Sequence, residues 1–511
     1  MTARCTVLPM LVAVAIALPP VFAGAAAQAP APHAIPFDTV RAREVDSVFA
    51  RYESGGSPGC AVAIIDSGRV RYAHGYGLAD VASGTRITPA SVFGLASITK
   101  QFTAMSVLLL ARDHRLSLDD DVRKWVPEVP QYDVPLGRIT IRELLHHTSG
   151  IPNYLALLDS GWAITDPMTE HRVLEFLHGK PLDFPPGTQY RYSNSGYMLL
   201  EMIVQRASGK SLRDFARERI FLPLGMRSTG YHDPNREPAH LASAYISRST
   251  RVSGDQRFIE NGPEWQLSNS RTEVLGDAGL FSTVLDLARW DANFYSGAVG
   301  GPEIVRMMEE SAVLSSGEPT GYGAGLMLGA YRGLRTIGHL GGWGGYKTWL
   351  VRYPDQHFTL ALLCNRRDYS DVSKADANDP SHRIAEIYLG DRMAPAIVPM
   401  IADAVERGGA DSAVRLYHSL QARYSLIAFE EAPLNALGYR LMTAGKADAA
   451  IAVFRLIVET FPKSANAYDS LGEAYMNHGD KALAIANYER SLALNPANGN
   501  AVRMLAKLRS P

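Results

Sequence analysis

Apolar positions along the chain change period several times. Val40, Val45, Val48 and Phe49 share one side of a helical wheel, which predicts an amphipathic helix over Phe37–Arg51. The pattern then becomes strand-like: Cys60–Asp66 and Arg69–His74 flank the turn residues Ser67-Gly68, a hairpin signal. A second group of strands is expected at Arg335–His339, Tyr346–Tyr353 and Phe358–Leu363, the last two joined through Pro354-Asp355-Gln356. Between the groups the pattern is mainly helix and loop, and one helix, with Phe102, Met105 and Val107–Leu110, is apolar all round and so expected to be buried. Two early and three late strands around a helical middle predict an α+β fold over residues 37–392: one antiparallel sheet built from both ends of the segment, flanked by helices, with an all-helical region.

The two ends of the chain differ from this. Arg4, the apolar run Val7–Leu18 and the small residues Phe22–Ala27 predict a cleaved signal peptide over residues 1–27. A retained anchor is the alternative, disfavoured by Pro19-Pro20 and the alanines. Residues 28–36, rich in Ala and Pro, read as a linker, so the mature protein is expected in the periplasm without a stable membrane span. Residues 393–511 turn Ala-rich and helical. Leu437-Gly438, Gly445, Ala450, Phe454 and Pro462 recur 34 residues later as Leu471-Gly472, Gly479, Ala484, Tyr488 and Pro496. This resembles the tetratricopeptide repeat family. Ile401–Ser425 reads as a degenerate preceding pair and Ala501–Leu508 as a capping helix. Such a module either binds a protein partner or packs on its own catalytic domain.

Composition narrows the function. With 51 Lys+Arg against 52 Asp+Glu the net charge is −1, which argues against nucleic acid as a partner, and 46% hydrophobic residues indicate a folded chain. Cys5 leaves with the signal. Cys60 and Cys364, both in strand-like runs, are expected as two buried reduced thiols, with a single bridge as the alternative.

Three segments carry chemistry. Ser97-Ile98-Thr99-Lys100 opens the apolar helix, and residues three apart share a helical face, so a lysine amine whose pKa falls on burial can take the serine proton. Tyr192-Ser193-Asn194 precedes a helix over Tyr197–Ala207; next to Lys100 the phenol pKa is expected to fall, which makes Tyr192 a second candidate base. Gly338–Gly345, with His339, closes the first late strand, where glycines let backbone N–H groups approach a substrate. His146-His147 lack a metal-binding frame, and Asp119-Asp120-Asp121 is expected to be a solvated loop. No metal or organic cofactor is implied.

Together these segments resemble the serine β-lactamase and penicillin-binding-protein superfamily, with class C β-lactamases and their esterase, D-aminopeptidase and D-alanyl carboxypeptidase relatives closest. Leu144–Pro152 and Asp277–Ala288 look like landmark segments of that family, and the resemblance covers about residues 40–390. It implies a serine hydrolase in which Ser97 is acylated, Lys100 and Tyr192 move protons, and Asn194, His339, Gly341 and Gly342 bind an ester, amide or peptide-like acyl substrate. The N–H groups of Ser97 and Gly342 would form the oxyanion hole. One departure matters: where the β-lactamases have Lys-Thr-Gly, this chain has His339-Leu340-Gly341. A neutral imidazole attracts a substrate carboxylate weakly, so β-lactam hydrolysis is expected to be less efficient than ester or peptide-like hydrolysis. A non-hydrolytic penicillin-binding protein or scaffold, recruiting a partner through its repeats, is the rival reading.

Overall fold

The computed structural model describes residues 39–53, 56–133, 137–158, 166–233, 235–247, 264–268, 272–367 and 379–509; the expected signal peptide and linker lie outside them. Residues Ile35–Pro511 form one compact unit. The first helix, α1, runs Thr39–Glu53 with Val45 and Phe49 buried. Strands β1 (Cys60–Asp66) and β2 (Arg69–Tyr76) form the hairpin. Helix α2 is Thr99–Arg112 and helix α3 is Asn194–Ser208. Four late strands follow: β3 (Met327–Tyr331), β4 (Leu334–Trp343), β5 (Tyr346–Tyr353) and β6 (Phe358–Cys364), then α4 (Pro380–Leu389).

The six strands make one antiparallel sheet in the order β3-β4-β5-β6-β1-β2, so the two ends of the segment meet at its centre. Every residue of β1 and β6 is buried. Alternation decides which layer each side chain enters. Ala61, Ala63 and Ile65 face the large core around α2 and α3, whereas Val62 and Ile64 face α1 and α4.

Three expectations are corrected here. The late group contains a fourth strand, β3, whose Met-Leu-Gly-Ala-Tyr carries little pattern because it is a partly exposed edge. The glycine run lies inside β4 as far as Trp343, since pairing continues through Gly342↔Lys347 and Trp343↔Tyr346, and only Gly344 and Gly345 form the turn beyond it. Cys60 and Cys364 are not free thiols: they stand directly opposite in the β1–β6 register and are disulfide-bonded. Asp119–Asp121 forms a loop as expected, with Asp119 exposed and the other two side chains engaged. Asp121 caps the short helix Val122–Trp125, and Asp120 accepts from the Trp125 indole N–H.

The C-terminal helices pair as antiparallel repeats: Glu431–Thr443 with Ala447–Thr460, and Ala465–His478 with Lys481–Leu494. The repeated Leu-Gly has a steric cause. A Cβ on Gly438 would lie 2.5 Å from the Phe454 ring and one on Gly472 would lie 3.1 Å from Tyr488, so the small residue admits its aromatic partner. The preceding pair is a helical run, Ile397–Gln421, broken at Gly408 and Gly409, and Gly499–Arg509 packs on the last repeat. This module holds the β3–β4 turn, where Arg332 and Gly333 both have positive φ (47° and 81°). Arg332 and Ala394 exchange two hydrogen bonds of 2.8 Å, and the Arg332 N–H donates to Glu430.

Candidate active site

Ser97 sits in the 3₁₀ turn Ala96–Ile98, which runs directly into α2. Ala96 has φ 48°, a left-handed conformation that costs a non-glycine residue of order 1 kcal/mol or more. The neighbours impose it: the Leu95 N–H donates to Leu280 O at 2.7 Å, and Thr348 Oγ1 donates to Leu95 O at 2.9 Å.

Lys100, the second residue of α2, is fully buried, and its Nζ lies 3.2 Å from Ser97 Oγ, 2.8 Å from Asn194 Oδ1 and 2.8 Å from the Asp277 carbonyl. Burial pulls its pKa down to about 8, against the opposing pull of the Asp277 charge. A neutral amine has two N–H donors and one lone pair. Asn194 Oδ1 and Asp277 O take the donors, which leaves the lone pair for the Ser97 hydroxyl.

Tyr192 corrects a sequence expectation. Its pKa is raised well above 10 because burial outweighs the contribution of Ser97, the group acting in the other direction. Lys100 Nζ stands over the phenol ring, 4.9 Å from its centroid, and so faces the π cloud rather than the oxygen. Among the described residues the Tyr192 hydroxyl makes no hydrogen bond of standard geometry.

Asn194 is the first residue of α3, and its amide orientation is set on both sides. Oδ1 accepts from Lys100, and Nδ2 and the backbone N–H both donate to Asn153 Oδ1 at 3.2 Å. The Leu144–Pro152 segment is stitched to this first turn. His147 Nδ1 accepts from the Ser193 N–H at 3.2 Å while its ring lies 4.3 Å from Tyr192, and Ser195 Oγ donates to Pro152 O at 2.6 Å.

The third segment approaches from β4. A Cβ on Gly341 would lie 2.2 Å from Thr348 Oγ1, 2.4 Å from Leu95 O and 3.1 Å from Ala96 Cβ, so glycine is what lets the strand press against the serine turn. At Gly342 the same construction meets nothing within 4 Å. His339 is buried, with Nδ1 2.6 Å from Leu340 O and Nε2 3.0 Å from Tyr322 Oη. A carbonyl only accepts, so Nδ1 carries the hydrogen and Nε2 accepts from the tyrosine. Burial and the nearby Lys100 charge hold its pKa down to about 3, and the ring is neutral with both nitrogens in use.

Beside the serine turn a cleft of about 540 Å³ opens between Ala96, Ala278, Phe281, Trp343 and Tyr346. Its wall carries Asp233, Glu237 and Glu273, and no Lys or Arg among the described lining residues.

A profile of the beta-lactamase family matches residues 45–382. The chain belongs to the beta-lactamase family. A tetratricopeptide repeat profile matches residues 465–498. Penicillin-binding protein 4* of Bacillus subtilis (strain 168) is 32% identical over 335 residues, 63% of this chain and 71% of its own length. A D-aminopeptidase of Gluconobacter oxydans (strain 621H) is 29% identical, over 65% of this chain and 61% of its own length, so the match spans less than two thirds of that relative. The D-amino acid amidase of Ochrobactrum anthropi SV3, solved with D-phenylalanine, superposes with a TM-score of 0.57 at 23% identity, over 69% of this chain and all of its own, a likeness of fold. Within this beta-lactamase-family site, sequence reasoning assigned no role to Asn153, His147, Tyr154 or Tyr322. His147 lay in a landmark segment, but a contact with Tyr192, 45 positions away, leaves no local pattern.

Proposed function

We propose that the protein is an exported, periplasmic serine hydrolase that works through an acyl-enzyme at Ser97. The environment of Lys100 carries this reading: burial pulls its pKa down to about 8, and once the amine is neutral the two carbonyl acceptors hold its hydrogens and leave its lone pair for the Ser97 hydroxyl. As Ser97 Oγ bonds to the substrate carbonyl carbon, its proton passes to Lys100 Nζ, and the charge on the carbonyl oxygen meets the N–H groups of Ser97 and Gly342. Breaking the C–N or C–O bond expels the leaving group, which takes a proton from the Tyr192 hydroxyl. Lys100 returns the proton to the tyrosine. Water repeats the sequence to release the acid. A phenol that stays protonated at neutral pH suits the donor role, which leaves Lys100 as the base.

His339 sets the substrate preference. Neutral, and with its only N–H given to Leu340 O, it offers no donor or charge to a substrate carboxylate. The carboxylates along the cleft disfavour one further. The substrate class is therefore an ester, amide or peptide-like acyl compound without a carboxylate at that position, such as an amino-acid amide. The disulfide supports an oxidising compartment. Among the described residues no helix is long and apolar enough to cross a membrane. The helical repeats serve as a docking module for a protein partner.

The test is a substrate panel of D- and L-amino-acid amides, p-nitrophenyl esters and nitrocefin, run with the protein and with Ser97→Ala. Hydrolysis of an amide or ester that Ser97→Ala abolishes is expected. Full activity in Ser97→Ala overturns the mechanism, and nitrocefin turnover of about 10–10³ per second overturns the substrate preference. Cell fractionation with and without residues 1–27 tests export.

A further inference from the structure

Behind Lys100 lies a charge that the proton-transfer scheme does not use. The Asp277 side chain is buried, and among the described residues it has no salt-bridge partner, a costly placement for a carboxylate. Its position is fixed from several sides. Tyr154 Oη donates to Asp277 Oδ2 at 2.9 Å, Thr103 Oγ1 donates to Gly276 O at 2.7 Å, and the buried Glu201 accepts the N–H groups of Leu275 and Gly276 at 2.8 Å each. The carbonyl of the same aspartate accepts from Lys100 Nζ.

We propose that Asp277 is the buried counter-charge of Lys100, seated by Tyr154, and acts as a positioning residue for proton transfer at Ser97. This rests on the reading of Lys100 as the base. The groups around the amine come from every neighbouring element: Ser97 from the serine turn, Tyr192, Asn194 and Tyr197 from the start of α3, His147 from the landmark segment and His339 from β4. The two histidines are held neutral and the tyrosines protonated, so Asp277 is the anion of this set, with Glu201 behind it pushed toward its neutral form by burial. Burial pushes the Asp277 carboxyl above its ordinary value, and the Lys100 charge and the Tyr154 hydrogen bond oppose that rise and favour the ionised form.

An ionised neighbour favours the ammonium form, so removing it must lower the pKa of the base. The test is the pH dependence of Ser97 labelling by a fluorophosphonate probe, read by intact mass, which needs no knowledge of the substrate. In the unaltered protein labelling rises with pH through about 8. Asp277→Asn keeps the shape and an acceptor for Tyr154, and is expected to move this limb about one unit lower. Labelling at pH 7 then rises from roughly a tenth of its plateau to roughly half. Tyr154→Phe moves the limb the same way by less, and adding it to Asp277→Asn moves it no further. Glu201→Gln, which disturbs the same loop without removing that charge, leaves the limb in place.

A folded Asp277→Asn whose limb stays, or moves to higher pH, overturns the inference. If Asp277→Asn does not fold, Tyr154→Phe decides in the same way. A limb that is present in the unaltered protein but unmoved in the variants sinks this inference alone. Absence of any limb in the unaltered protein sinks the base assignment and this inference with it.

Discussion

Gly341→Ala tests whether the edge strand must press against the serine turn. Cβ would lie 2.4 Å from Leu95 O and 2.2 Å from Thr348 Oγ1, where ordinary contact begins at 3.4 Å. The Thr348–Leu95 hydrogen bond stands in the way, so β4 must retreat by about 1 Å or the serine turn must move. Overpacking of this kind costs about 1–3 kcal/mol of stability. The kinetic cost is of similar size: a displacement of about 1 Å, or loss of one oxyanion donor, lowers the rate by about 100-fold, about 2.7 kcal/mol. Gly342→Ala is the control, since its Cβ meets nothing and the residue has no positive φ. The assay pairs the fluorophosphonate labelling rate at a fixed pH above 8 with the midpoint of urea unfolding. Expected are a labelling rate about 100-fold lower and a reduced midpoint for Gly341→Ala, with an unchanged midpoint for Gly342→Ala. Labelling of Gly341→Ala within threefold of the unaltered protein would refute the close approach as a requirement for catalysis.

Further consequences are open to measurement. Tyr192→Phe should slow amide hydrolysis yet keep the rise in labelling rate with pH near 8, because the amine that loses its proton is Lys100; disappearance of that limb would make Tyr192 the base. Asn153→Ala leaves two N–H groups of Asn194 without their acceptor and frees its amide, which should lower kcat about tenfold with the fold intact by circular dichroism. Cys364→Ala removes a bridge between residues 304 positions apart and should cost about 2–5 kcal/mol in urea unfolding, and a non-reducing peptide map of the unaltered protein should contain a linked Cys60–Cys364 pair. Two free thiols there, or an unchanged midpoint, would count against the bridge.

Local patterns made much of this protein legible from its residues. The short continuous apolar runs of β1 and β6, the hairpin turn at Ser67-Gly68 and the all-round apolar face of α2 are short-range signals, and sheet and core follow them. The 34-residue spacing of Leu-Gly and its aromatic partner marked the repeats because each unit packs a small residue under a ring in its own hairpin. Ser97 and Lys100 were legible for the same reason, being three apart on one helix. What local pattern could not carry was register and environment. The opposition of Cys60 and Cys364 depends on how two strands 304 residues apart slide against each other. The pKa of Tyr192 moved opposite to expectation because folding buried the phenol and placed the lysine over its ring instead of at its oxygen. The neutrality of His339 follows from its burial and the nearby Lys100 charge, which outweigh the opposing pull of the Leu340 carbonyl, while Tyr322 and Leu340 O occupy its two nitrogens. Charge states and hydrogen-bond partners depend on distances of 2.8–3.2 Å between segments tens to hundreds of residues apart. Those distances arise when the chain packs, and so the chemistry of the site belongs to the fold while its cast of residues was already readable along the chain.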